Sequence, residues 1–334
     1  MYSLLLLLLA ATSPVVSGVE HIDGRTVHVV IAKLNAVRVQ VALGGSHVGD
    51  TAFLGDIARR YHAVAAINGG YFEAYRPERR KNLIHTLMID GSLVFKGDVG
   101  SVLFFDRNNH AWIERVPMRI AGSLDGRNAY PNDWYAYWLN RLPGPDADTI
   151  TIFTPAWGTS TGLPGGPQIQ VTNGVVSGIA FASMPIPANG YVIYFRGEQR
   201  VASHFWIGRE ASYTVTTPDG SPLGDFAYAW QALGGGPQLL TEGHVFANPA
   251  AEGFHDPKLY GDGLRSMVGV TRDQQTLIMA VADCTLVECA NIMLKLGAYD
   301  AMNLDGGASS ALWANGSYVV SPGRPINNAL LLTR

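Results

Sequence analysis

Residues 277–310 read LIMAVADCTLVECANIMLKLGAYDAMNLDGGASS, and the parsing of this stretch decides the fold. Leu277 to Ala282 is an unbroken apolar run stopped by Asp283, the pattern of a buried strand. Thr285 and Glu288 follow at the spacing of a capping box, in which each side chain satisfies a backbone N–H that a helix's first turn leaves unpaired. Val287, Ala290, Met293, Leu294 and Leu296 give a helix from about Thr285 to Leu296 its apolar face, and Gly297 is placed to end it. A second apolar run, Ala301 to Leu304, then stops at Asp305-Gly306-Gly307. The reading is strand, helix, strand. If the two strands are parallel neighbours, Asp283 and Asp305 lie at one edge of one sheet.

Outward from this unit, the chain is rich in short strands. Val37, Val39, Val41 and Leu43 alternate strictly with other residues, the period of a half-buried strand. Further strands are expected over 63–67, 83–89, 102–105, 149–153, 191–195 and 329–332. Asp90-Gly91, Asn173-Gly174 and Asn315-Gly316 each sit between apolar runs, and such pairs tolerate the positive φ of two-residue hairpin turns. A second helix is expected over 51–61. Glycine at 38 of 334 residues, well above the usual ~7%, also favours many tight turns. The expected fold class is α+β: predominantly antiparallel β-sheet with a few packed helices, in a single compact catalytic domain.

Hydrophobic residues make up 47% of the chain and charged residues 15%, enough apolar surface for a sizeable core. A net charge of −3 with no basic stripe argues against a nucleic-acid partner. Leu4 to Leu9 are all leucine, too short a run to span a bilayer and suited to the core of a signal peptide. With small residues at Val15-Val16-Ser17, the expected division is a signal peptide over 1–17 and a mature domain over 18–334. The mature domain is then not membrane-spanning, and its location is secreted, periplasmic or cell-envelope. The two cysteines, Cys284 and Cys289, are too few for a disulfide framework or a four-cysteine zinc site. They form either one local disulfide or two buried thiols.

Several segments place polar residues and glycines at the ends of apolar strands. Asn68 closes one such run, and Gly69 and Gly70 after it let the backbone turn or approach a ligand closely. Gly235 and Gly236 can expose successive N–H groups as an anion-binding nest. Arg265 enters an otherwise apolar strand, and a guanidinium there suits bidentate binding of phosphate or carboxylate. Asp305 and Asp283 form a candidate carboxylate pair for acid–base work or for stabilising a cationic transition state, and they would equally suit a divalent cation such as Ca2+. Asn303, Gly306, Gly307, Ser309 and Ser310 surround Asp305 with space and hydrogen-bonding groups. No H-x-H or H-x-x-x-H cluster occurs, so a transition metal is not expected. Tyr130, Trp134, Tyr135, Tyr137 and Trp138 form an aromatic group that covers a core or interface more readily than it stacks on sugar.

In this order, the segments Asn68 to Phe72, Gly235 to Pro237, Arg265-Ser266 and Asn303 to Ser310 resemble the phosphodiester glycosidase family. Phe153 to Gly158 adds a further shared segment, so the resemblance extends over most of 26–334. It implies hydrolysis of a sugar-1-phosphate diester, such as an N-acetylglucosamine 1-phosphodiester, at the anomeric C–O bond. On that reading Arg265 and the Gly235–Gly236 N–H groups take the phosphate. Asp305 stabilises the anomeric centre or activates water, Asp283 is the second carboxylate, and Asn68 and Ser309 orient hydroxyls or that water. Gly69, Gly70, Asn303, Gly306, Gly307 and Ser310 complete the substrate-binding set. The partner is a sugar phosphate or glycan, and a divalent cation such as Ca2+ held by carboxylates stays open as a cofactor. Three other readings compete: a non-catalytic exported carbohydrate-binding protein, an exopolysaccharide glycosidase using the Asp pair, and a metal-dependent phosphodiesterase.

Overall fold

A computed structural model describes residues 13–144 and 148–334. The leucine run at 4–9 lies outside them. Among the described residues, strands β1–β25 in chain order form five sheets. The largest runs β1 (Val15–Ile22), β2 (Arg25–Lys33), β21 (Thr276–Asp283), β20 (Leu264–Val270), β22 (Asp300–Asn303), β18 (Gln238–Thr241), β19 (His244–Val245). A second runs β24 (Ser317–Val320), β23 (Leu312–Ala314), β4 (Ala65–Asn68), β25 (Asn328–Thr333), β3 (Arg38–Leu43). The third is β6 (Ser92–Phe95), β5 (Leu87–Ile89), β17 (Gln231–Gly235), β7 (Ser101–Phe105), β8 (Ala111–Glu114). The fourth is β11 (Trp138–Leu139), β12 (Thr149–Phe153), β15 (Gly190–Arg196), β13 (Gln168–Thr172), β14 (Val175–Ala180). The smallest holds β10 (Asp133–Ala136), β9 (Arg119–Leu124) and β16 (Ala211–Thr216). Every pairing is antiparallel except β11 with β12. The α+β expectation therefore holds.

The period-2 pattern sorts side chains between cores. Along β21, Leu277, Met279 and Val281 enter the main core, shared with Val41, Ile67, Phe95, Leu233 and Leu330 of the neighbouring sheets. Ile278, Ala280 and Ala282 point the other way, onto helix α3 (Leu286–Lys295). Helix α1 (Leu54–Arg60) covers β4 and β25 through Leu54, Ile57 and Ala58, and the short α2 (Gln199–Ala202) packs beside β15. Helix α3 begins as the sequence predicts, with the Thr285–Glu288 capping box formed in both directions. Asp90-Gly91, Asn173-Gly174 and Asn315-Gly316 all adopt positive φ between paired strands, as a two-residue hairpin requires. The 83–89 segment forms a strand only from Leu87, and Leu83 makes a lone bridge to Phe72. Trp134 goes into the core against Phe205, while Tyr130, Tyr135 and Tyr137 stay exposed.

Cys284 and Cys289 are joined in a disulfide at the start of α3. The cleavage point expected after Ser17 falls within β1, where Val15, Val16 and Ser17 pair with Ala32, Ile31 and Val30. Among the described residues no helix is long and apolar enough to cross a membrane.

Candidate functional site

Strands β21 and β22 run in the same direction, but β20 lies between them, antiparallel to both. They are therefore parallel without being neighbours. Asp283 ends β21 opposite Leu264, and Asp305 follows β22 at the same sheet edge, two strand spacings (~10 Å of backbone) away. Asp283 is exposed, and its charge acts on Arg25, which binds Glu288 at 2.9 Å and Asp262 at 3.0 Å. The structure does not bring Asp283 together with Asp305 as a dyad.

Asp305 is 6% exposed. Its Oδ2 accepts from Arg324 Nη2 at 3.0 Å, and Arg324 Nε donates to Ser309 Oγ at 2.7 Å. The Ser309 hydroxyl and the Gly306 N–H also serve the carboxylate. Burial pushes the Asp305 pKa up, against the downward pull of Ser309, Arg324 and Gly306. Gly307 turns the chain at φ 58°, so that the short 3-10 turn Gly307–Ser309 aims the serine back at the carboxylate. Ser310 instead donates to the Leu264 carbonyl at 3.3 Å. Arg324 lies over the rings of Phe72 and Tyr75, at 5.0 and 5.4 Å. Its Nη1 has no hydrogen-bond partner among the described residues and its side chain is 21% exposed, so that edge of the guanidinium is free to donate.

Five expected substrate contacts take other roles. Asn68 is fully buried, and its amide makes four hydrogen bonds inside the protein. Nδ2 donates to the Asp305 and Gly69 carbonyls; Oδ1 accepts from Ser266 Oγ at 2.7 Å and from the Ala311 N–H at 3.0 Å. No lone pair or proton is left to orient a ligand hydroxyl, so Asn68 positions the backbone of Asp305. Gly69 and Gly70 give their N–H groups to the Asn328 carbonyl and side-chain oxygens. They are glycines because of crowding: a Cβ on Gly70 would stand 2.2 Å from the Gly234 carbonyl oxygen, and one on Gly69 would meet Asn328 Oδ1 at 1.8 Å. Gly235 and Gly236 do not form an anion nest. Gly235 is a buried strand residue paired with Ser101, and the Gly236 N–H donates to the Asn303 carbonyl at 2.7 Å. At φ 123°, Gly236 turns the chain so that Phe254 packs where its side chain would be.

Arg265 is also more structural than the sequence suggests. Its Nη2 donates to the Lys258, Leu259 and Gly261 carbonyls at 2.9–3.2 Å, tying the 257–263 loop to β20. Its buried Nε has no partner, and its side chain runs beside Gly306. Asn303 donates through Nδ2 to Tyr71 Oη, to the Leu304 carbonyl and, at 3.3 Å, to the Gly236 carbonyl. Tyr71 packs in turn against His85 and Phe254.

Arg324, His85 and Phe254 were missed in the sequence. Arg324 stands in Pro322-Gly323-Arg324-Pro325, a composition that reads as an exposed turn. Its partners lie 15 and 19 positions earlier. Among the described residues no three His, Cys, Asp or Glu side chains converge as a metal-ligand set. The group facing Asp305 is a guanidinium, so these donors do not fit the Ca2+-like ion considered from the sequence. Two surface cavities of about 580 Å3 lie elsewhere, one beside Pro164–Pro167 and Arg196, the other beside Asp90, Asp106 and Trp230.

No curated protein matches the chain in sequence. Among solved structures it is similar to a hypothetical protein from Synechocystis, with 23% identity and a TM-score of 0.81 over 95% of this chain. The chain spans 61% of the length of that protein. A protein from Burkholderia pseudomallei K96243 named as exported superposes at TM-score 0.72, with 21% identity over 93% of this chain and 74% of that one. The catalytic domain of zebrafish N-acetylglucosamine-1-phosphodiester α-N-acetylglucosaminidase, auto-inhibited by its pro-peptide, reaches 0.51 with 13% identity over 96% and 82%. At these identities the likeness is one of fold. The sequence match to phosphodiester glycosidases runs over residues 165–333, which takes in Arg265, the β20–β22 edge, Asp305 and Arg324, and by it the chain belongs to the phosphodiester glycosidase family.

Proposed function

We propose that this chain is an exported hydrolase that cleaves the anomeric C–O bond of a sugar-1-phosphate diester, releasing the sugar and a phosphomonoester. The observation that carries this reading is the Asp305–Arg324 pair: a nearly buried carboxylate held against a partly exposed guanidinium whose Nη1 has no partner among the described residues. Such a reaction needs little more. The leaving group is already a stabilised anion, so the site has to hold phosphate and stabilise positive charge at the anomeric carbon. Arg324 Nη1 supplies the donor for a phosphate oxygen, and the Asp305 carboxylate faces the developing cation or takes a proton from the attacking water. Export is supported by the Cys284–Cys289 disulfide, because cytosolic thiols are normally kept reduced. N-acetylglucosamine as the sugar follows the name of the zebrafish enzyme.

Hydrolysis of UDP-N-acetylglucosamine and of a simple N-acetylglucosamine 1-phosphodiester in oxygen-18 water tests the reading. Label is expected in the released sugar. Label in the phosphate would mean P–O cleavage and would overturn it. A non-catalytic carbohydrate-binding protein is the alternative that the same assay separates. It predicts sugar binding without turnover and an affinity unchanged by Asp305→Asn.

Arg324→Met gives a pH signature. The Asp305 pKa is already raised by burial, and Arg324 is among the groups that hold it down. Without that charge the carboxylate is protonated at higher pH, so the acid limb of the kcat/KM profile should move upward, alongside a loss of about 100-fold. An unshifted acid limb would separate Asp305 from the titrating group.

A further inference from the structure

Three buried polar atoms near Tyr71 have no partner in the protein: His85 Nε2, Asn303 Oδ1 and Arg265 Nε. These residues are 2%, 0% and 6% exposed, and Tyr71 beside them is partly buried. A bare buried acceptor or donor is costly, and native proteins leave few without a ligand or water.

The chemistry of two of these atoms is fixed by their neighbours. His85 Nδ1 lies 2.8 Å from the Val99 carbonyl, which can only accept, so Nδ1 carries the proton. Burial lowers the His85 pKa to about 4, which keeps the ring neutral and leaves Nε2 a bare lone pair at neutral pH. Asn303 is oriented by the Leu304 and Gly236 carbonyls, which both need its NH2 group. Its Oδ1 is therefore an acceptor too. Phosphate oxygens, which only accept, cannot satisfy this pair. Arg265 Nε is a donor. One hydroxyl has a single proton and serves only one of the two acceptors, whereas two adjacent hydroxyls, as on a sugar ring, can donate to both while one of them accepts from Arg265 Nε. The rings of Tyr71, His85 and Phe254, with centroids 5.3–5.8 Å apart, add an apolar wall of the kind a sugar's C–H face packs on.

We propose that His85 Nε2 and Asn303 Oδ1 form a hydroxyl-reading subsite for the neutral sugar ring, distinct from the cationic phosphate side at Arg324. This rests on the reading of the site as one that acts on a sugar-1-phosphate diester. The test measures binding apart from turnover. N-acetylglucosamine, glucose and methyl phosphate are titrated separately, by ligand-observed NMR, into wild type, His85→Phe and His85→Gln, each checked for folding by its melting curve. UDP-N-acetylglucosamine hydrolysis is followed in parallel. Wild type should bind a sugar. His85→Phe keeps the ring and loses the acceptor, so it should weaken that sugar about tenfold or more and leave methyl phosphate within twofold. His85→Gln, which returns an acceptor near the position of Nε2, should recover part of the loss. Equal weakening of sugar and methyl phosphate, unchanged sugar binding by folded His85→Phe, or no sugar binding by wild type would each overturn the subsite. Sugar binding with this His85 dependence but no hydrolysis would keep the subsite and remove the proposed reaction. Hydrolysis unaffected by His85→Phe would do the reverse.

Discussion

Asp305→Asn should lower kcat/KM on an N-acetylglucosamine 1-phosphodiester by about a thousandfold, or roughly 4 kcal/mol of transition-state stabilisation. Asparagine keeps the shape of the side chain, and its amide oxygen can still accept from Arg324 Nη2. What disappears is the negative charge, in a position where burial weakens solvent screening. A positive anomeric centre would then develop beside Arg324 with nothing to balance it. The loss should fall mainly on kcat, because charge at that carbon exists only in the transition state. Ser309→Ala offers a graded comparison: it removes one hydrogen bond to the carboxylate and leaves the charge, so a loss nearer tenfold is expected. Steady-state kinetics on the three proteins, with melting curves alongside, would decide it. Asp305→Asn activity within tenfold of wild type would remove Asp305 from the chemistry.

Local features of the fold were legible because their causes are local. The Thr285–Glu288 box, the Asx-Gly hairpins and the alternation in β3 each depend on residues a few positions apart, and each formed as expected. The arrangement of the edge was not legible. Nothing within 277–310 says that β20, starting thirteen residues earlier at Leu264, inserts between the two strands of that unit. That insertion is what moves Asp283 away from Asp305. The glycines show a second kind of ambiguity. A glycine that exposes its N–H to an anion and one that makes room for another backbone look alike in sequence. Only the packing partner, the Gly234 carbonyl for Gly70 or Phe254 for Gly236, tells them apart. Arg324 shows a third. A cation between prolines reads as surface until the chain returns it to a carboxylate, and that return is a tertiary event. The block from Asn303 to Ser310 was legible as a site because it concentrates polar residues and glycines where a buried strand stops. Its division of labour was not, since roles depend on which atoms the protein itself already satisfies.

Asn68 carries that distinction furthest. Asn68→Ala should cost about 4 kcal/mol of stability, because the lost amide leaves the buried Ala311 N–H and Asp305 carbonyl unpaired and removes the partner of Ser266 Oγ. For a chain of this length, with an unfolding entropy of ~2.1 cal/mol/K per residue, that is a fall in Tm of about 6 °C. The four bonds join β4, β20, the Asp305 backbone and the entry to β23, so the same substitution loosens the contact between two sheets where the carboxylate is held. Asn68→Asp separates positioning from a direct role. It preserves size and an acceptor for Ser266 and Ala311, but replaces the donor with a charge facing the Asp305 carbonyl. If Asn68 acts only by positioning, both variants should lose stability and activity together, with Asn68→Asp losing at least as much as alanine. A stable Asn68→Ala protein with activity reduced a hundredfold would instead mean that the amide meets substrate directly, which the four internal hydrogen bonds argue against.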